Sequence, residues 1–286
     1  MEAASRGGGE LDAKGLVMHR DGRTSDRISS ILTNGVDDVN SDFVHLPGTP
    51  ETALRRADLA SLPANAPPAP WRVTAAALLW TDRPDDRARA AIDAVVPREV
   101  SAGATPIATV GALIRYLRTP VGRYREVIGA VVYRRGATVF THIPFIAVDS
   151  PASVVGGRTN WALPKTLASF DGQPADGTSM AANGDDWRVE ATPTSHRLMV
   201  PMLIPKLLAL VQLGPHRTVW SVRPSCFGVT RLARIDVQVT AAPTVADWFP
   251  SGIRRGTVSP RLTMVLGPAV RRDCGRSQSP TPYAQD

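Results

Sequence analysis

Two apolar runs held apart by three residues set the architecture of this chain. Glu126 to Tyr133 and Ala137 to Val148 are rich in Val, Ile and Phe, and Arg134-Arg135-Gly136 lies between them. β-Branched and aromatic runs joined by a short glycine-bearing link read as a β-hairpin. Val73 to Trp80, Trp187 to Ala191, Thr218 to Val222, Ile235 to Thr240 and Leu262 to Leu266 are further strand candidates. Helical spacing is rarer. Asp85 to Val96 puts Ala88, Ala91, Ile92 and Val95 on one face. Ser150-Pro151 opens a second helix, with Ser150 as N-cap and Pro151 in the first turn, and Gly156-Gly157 is expected to stop it. Strands outnumber helices, so the expected class is α+β with a curved, mixed or largely antiparallel sheet.

At 286 residues and 43% hydrophobic content the chain can bury a substantial core. The sustained patterns lie within residues 70–270, which read as the folded domain. Residues 1–69 read as a partly disordered N-terminal extension with a few docked segments, on the strength of Gly7-Gly8-Gly9 and the Pro-rich stretch from Leu62 to Pro70. Residues 271–286 are polar and read as a disordered tail.

Several function classes are disfavoured. The net charge of +7 is spread along the chain without a dense basic run, so nucleic acid is not expected as a partner. The longest apolar stretch, Leu198 to Leu213, is broken by Pro201, Pro205 and Lys206 and is too short to span a bilayer. The first ten residues lack the apolar segment of a secretory signal, which points to the cytoplasm. Cys226 and Cys274 make no disulfide framework, and the five histidines are scattered, so no metal is expected.

The chain has three lysines, Lys14, Lys165 and Lys206, against thirty arginines. Where arginine serves for nearly every cation, a retained lysine points to chemistry a guanidinium cannot do. An amine can lose its proton and attack a carbonyl. Lys165 follows Pro164 among Trp161, Leu163, Leu167 and Phe170. Burial there lowers the pKa of an amine and makes it a nucleophile; alternatively, the side chain snorkels to solvent past an apolar stem. Lys206, among Leu203, Ile204, Leu207 and Leu208, reads as the polar edge of a short helix.

Glu126 is the only carboxylate between Glu99 and Asp149, a stretch that also holds Arg115, Arg118, Arg123, Arg125, Arg134 and Arg135. On a strand it shares a face with Tyr124, Ile128 and Val132. A carboxylate on an apolar face needs a partner. One of these arginines would supply an ordinary ion pair.

The order of these pieces resembles the acetoacetate decarboxylase family. Gly122-Arg123-Tyr124-Arg125-Glu126 matches a G-x-Y-x-E element; a hairpin leads to Asp149; nine residues on comes the Gly157-Arg158 pair, and seven later Pro164-Lys165. The resemblance implies a barrel- or cone-like curved sheet with a few short helices. It also implies a Schiff base between Lys165 and a β-keto acid, with Glu126 orienting substrate or handling protons. Arg72 or Arg158 would hold a carboxylate, with Trp161 and Leu163 against the substrate; equally, Arg158 would be a structural pair for Asp149. No metal or organic cofactor is implied, and a homo-oligomer is. The chain departs from the family in three ways. Thr166 follows the nucleophile where a second lysine is usual, Arg72 has no fixed register, and a further family carboxylate would fall near Gly111, where there is none. These departures keep open an aldolase or dehydratase using the same imine, or a non-catalytic small-molecule binding protein.

Overall fold

The computed structural model describes residues 43–175, 177–204 and 208–274. Its centre is a set of long strands whose both faces are covered. They are β1 (Trp71–Asp82), β2 (Thr105–Arg118), β3 (Tyr124–Arg135) and β4 (Thr138–Val148). Side chains alternate across a strand, so each of these four feeds two cores. Leu78, Leu113, Val127, Val131, Phe145 and Ala147 enter one; Val73, Ala75, Tyr116, Tyr124, Ala130, Ile146 and Val148 enter the other. Double burial is why the hairpin reads as nearly continuous apolar runs rather than a clean alternation.

The remaining strands are β5 (Thr166–Leu167), β6 (Ser169–Ala175), β7 (Thr178–Asn183), β8 (Arg188–Ile204), β9 (Ala209–Leu213), β10 (Thr218–Val222), β11 (Ser225–Thr240), β12 (Gly252–Leu266) and β13 (Val270–Asp273). Among the described residues thirteen strands form one sheet in the order β13-β10-β9-β4-β3-β2-β1-β12-β11-β8-β7-β6, with β5 beside β4. Pairings are antiparallel except β4 with β5 and β4 with β9. The sheet is mixed and mostly strand as expected, but it is not closed into a barrel: β13 and β6 remain its two ends. It curls so that Phe170, Met180 and Val189 from β6–β8, with Trp187 from the β7–β8 turn, share the first core with Leu78 and Leu113.

Two helices pack on the strands, and the second of them carries the site. α1 (Asp86–Val95) starts where Asp85 accepts a hydrogen bond from Ala88 N at 2.8 Å, and buries Ala88 and Ile92. α2 (Pro151–Trp161) starts as read, with Ser150 Oγ accepting from Ser153 N at 3.2 Å. It does not stop at Gly156-Gly157 but runs on to Trp161 and ends on Ala162, whose φ of 54° is left-handed. The two glycines serve close approach instead. A Cβ on Gly156 would fall 2.4 Å from the Trp71 ring.

Residues 43–69 lie against the second core. Phe43, Leu54, Leu59 and Leu62 pack on it, and Thr49 N donates to Pro144 O at 2.8 Å. At the other end β13 pairs with β10, so an element crosses the residue-270 boundary drawn from the sequence. Lys206 lies outside the described residues, as do residues 1–42 and 275–286.

Candidate active site

Lys165 and Glu126 meet through β4. Glu126 on β3 is opposite Val148 on β4, and β5, which begins one residue after Lys165, pairs with Ala147 and Val148 on the other side. Two strand spacings are roughly 10 Å, a gap that a lysine and a glutamate together can bridge. The left-handed end of α2 turns the chain into β5, with Ala162 N donating to Arg158 O at 3.1 Å and Leu163 N to Gly157 O at 3.2 Å.

The result is a buried ammonium–carboxylate pair. Lys165 Nζ donates to Glu126 Oε2 at 2.5 Å and to Ser153 Oγ at 3.0 Å, and both charged residues are nearly inaccessible. Tyr116 OH donates to Glu126 Oε1 at 2.9 Å, so each carboxylate oxygen has one donor. The Tyr124 ring stacks on Tyr116 with centroids 4.3 Å apart, and Lys165 Nζ lies 5.3 Å from the Tyr124 centroid. Burial, reinforced by the charge of Glu126, holds both phenols well above their ordinary pKa of 10. Neither phenol is a base here, and Tyr116 serves as the hydrogen-bond donor to Glu126.

This cluster forms one end of a cavity of about 330 Å³. Trp71, Val73, Ile128, Ile146, Trp161 and Leu163 are among its walls. The two indole N–H groups are engaged elsewhere, Trp71 Nε1 with Pro67 O at 2.9 Å and Trp161 Nε1 with Gly267 O at 2.8 Å, so the rings offer only apolar surface. Among the described residues, Lys165 is the one cationic side chain on the lining. Elsewhere, no three His, Cys, Asp or Glu side chains among the described residues gather to hold a metal.

The site therefore gathers Lys165, Glu126, Trp161 and Leu163 but neither arginine. Arg72 is exposed, because strand alternation turns it away from the face on which Trp71 and Val73 meet the cavity. Arg158 is buried but engaged with backbone. Its Nε donates to Lys165 O at 2.7 Å, and its Nη1 to Phe43 O at 2.8 Å and Val44 O at 3.3 Å. Burial lowers its pKa to about 10. It positions the Lys165 backbone and does not reach the cavity. Nor does it pair with Asp149, whose partner is Arg125, at 2.7 Å through Nε and 2.6 Å through the backbone N. Near Gly111 the missing carboxylate has a steric reason. A Cβ there would fall 2.1 Å from the Trp80 ring, while its neighbour Val110 lines the cavity.

Sequence reading missed Ser153 and Tyr116. Tyr116 is directly opposite Tyr124 across β2–β3, so a correct hairpin register would have placed it one pair from Glu126. Ser153 carried no signal beyond lying one turn into a helix that starts near Asp149.

Residues 74–199 match the model of the family described as acetoacetate decarboxylase (ADC). No match was found among curated proteins. Solved structures of similar fold include one described as structural studies of acetoacetate decarboxylase, with a TM-score of 0.58 at 14% identity over 77% of this chain and 96% of that one. The enduracididine biosynthesis enzyme MppR, complexed with the condensation product of pyruvate and imidazole 4-carboxaldehyde, gives a TM-score of 0.56 at 14% identity over 73% of this chain and 92% of that one. An acetoacetate decarboxylase-like enzyme from Sphingomonas wittichii RW1 gives 0.52 at 16% identity, over 73% and 94%.

Proposed function

Starting from a chain with the acetoacetate decarboxylase-like fold and a match to that family over residues 74–199, we propose that it is a carbon–carbon lyase that decarboxylates a β-keto acid through a Schiff base on Lys165. The observation that carries this is the buried amine of Lys165, 2.5 Å from the Glu126 carboxylate, at the end of an otherwise apolar cavity.

In the resting pair the amine is protonated and inert. Glu126 accepts that proton at the contact already made, and the freed amine adds to the ketone carbon. A C–N bond forms, the carbonyl oxygen leaves as water with protons routed through Glu126, and a protonated imine remains. The bond to the carboxyl carbon then breaks. Its electron pair moves into the imine to give a neutral enamine, and carbon dioxide departs. Protonation at carbon and hydrolysis release the ketone and restore the amine. The bond-breaking step converts a carboxylate and an iminium into two neutral species, which apolar walls favour. A fixed arginine on the carboxylate would stabilise the starting state instead. Tyr116 keeps the second oxygen of Glu126 in place. The family likeness also supports a homo-oligomer, with Leu203 and Phe227, exposed and paired across β8–β11, as contact residues.

Borohydride reduction in the presence of acetoacetate or a larger β-keto acid should fix the adduct on Lys165, read by mass spectrometry, with carbon dioxide released in parallel assays. Lys165→Arg should abolish trapping in a folded protein. Trapping without carbon dioxide would move the assignment to aldol or dehydration chemistry. No adduct across keto acids and aldehydes would leave a binding protein.

A further inference from the structure

The cavity continues well past the amine. From Glu126, alternate residues of β3 place Ile128, Ala130 and Val132 in one row on its wall. Six residues of strand cover roughly 20 Å. Neighbouring strands complete the trough: Ile146 is opposite Ile128, Val110 opposite Ala130, Thr141 opposite Val132, and Leu79 also lines it. The polar groups gather at the Lys165 end, and among the described residues Thr141 alone interrupts the apolar surface at the other. Ile128, Val132 and Val110 are only half-buried despite lying on doubly covered strands. Their apolar surface faces open volume, and it would gain stability if an apolar group filled that volume.

Resting on the reading of Lys165 as an imine-forming amine, we propose that the substrate is a β-keto acid carrying a long apolar substituent on its keto carbon. That substituent lies along Ile128, Ala130 and Val132 as an alkyl or aryl chain. Burying it supplies the binding energy that carries the carboxylate into a site whose described lining has no second cation. Remote binding then offsets the cost of desolvation at the reacting end. A short acid such as acetoacetate fills only the polar end and lacks that contribution.

The test uses the full-length protein and a series of straight-chain β-keto acids beginning with acetoacetate. Imine formation is read by borohydride trapping on Lys165 and turnover by carbon dioxide release. In the wild type, kcat/KM rises about threefold to fourfold per added methylene until the trough is full. Ala130→Phe places a ring across the trough opposite Val110 and moves the optimum to the shortest acids. Val132→Trp, at the half-buried far end, cuts the rise off at longer chains and gives the same readout if Ala130→Phe does not fold. A flat or falling dependence on chain length, with acetoacetate still trapped on Lys165, overturns the proposal and leaves the imine reading standing. A rise that neither variant alters overturns the placement along β3. No adduct at any chain length removes the imine reading itself.

Discussion

Gly157 and Lys165 are packed closer than any side chain at position 157 would permit: a Cβ there would lie 2.5 Å from Lys165 Cδ and 2.8 Å from its Cε. Those are the carbons that aim the amine at Glu126. Gly157→Ala should therefore leave a folded protein with a misplaced nucleophile. Alanine in a helix interior gains up to about 1 kcal/mol over glycine, against a clash costing about 1–3 kcal/mol, so melting stays cooperative. Displacement of a reacting group by an ångström costs on the order of 100-fold in rate. Full trapping efficiency in Gly157→Ala would show that the amine does not depend on this contact.

Glu126→Gln removes the proton acceptor and leaves a buried ammonium without its carboxylate. Turnover should fall by about 10²- to 10⁴-fold, more steeply than the final yield of trapped imine. Thermal or denaturant unfolding should report a loss of roughly 3 kcal/mol. Adding Lys165→Met should restore part of that stability, because no charge is then left unpaired. If the double variant is no more stable than Glu126→Gln, the pair is not the source of the loss.

His142 gives a pH dependence separate from the site. It is fully buried, its Nδ1 lies 2.9 Å from Val211 O, and its Nε2 has no partner among the described residues. The neutral ring donates through Nδ1. Protonation would add a second N–H with no acceptor, and burial accordingly lowers its pKa from 6.5 to about 4. The unfolded chain thus takes up the proton first. Stability from this residue is complete above about pH 6.5 and drains away as pH falls to about 4, by roughly 3 kcal/mol in all. Denaturant melts between pH 7 and 4 should show this slope in the wild type and not in His142→Gln. An equal slope in both would assign the acid sensitivity elsewhere.

What the sequence disclosed and what it concealed follow one division. Face and local order were legible. Alternation along β3 put Glu126 with Tyr124, Ile128 and Val132, and all four line the cavity. Apolar neighbours pointed to burial of Lys165, with a snorkelling side chain as the alternative. Partner choice was not legible. Six nearby arginines made an arginine the obvious mate for Glu126, yet its mate is a lysine 39 residues away. Arg158 could not be told from a substrate-binding arginine, because the carbonyls it holds lie 114 and 115 residues away at Val44 and Phe43. Gly156-Gly157 carried the local signature of a helix end, but the pressure that put glycine there comes from Trp71 and Lys165.

The two-faced burial of β3 has a consequence for how such a gene can change. Glu126, Ile128 and Ala130 face the cavity side while Val127, Val131 and Tyr133 face the closed core. Losing or gaining one codon in the strand before Glu126, with the upstream pairing kept, would swap those faces locally. The carboxylate would enter a core with no partner for it, and the cavity would receive a valine. Point substitutions can tune this lineage gradually, but single-codon insertions and deletions in β3 cannot. Length variation should accumulate instead in links such as Arg135-Gly136-Ala137, where Gly136 has open space around it.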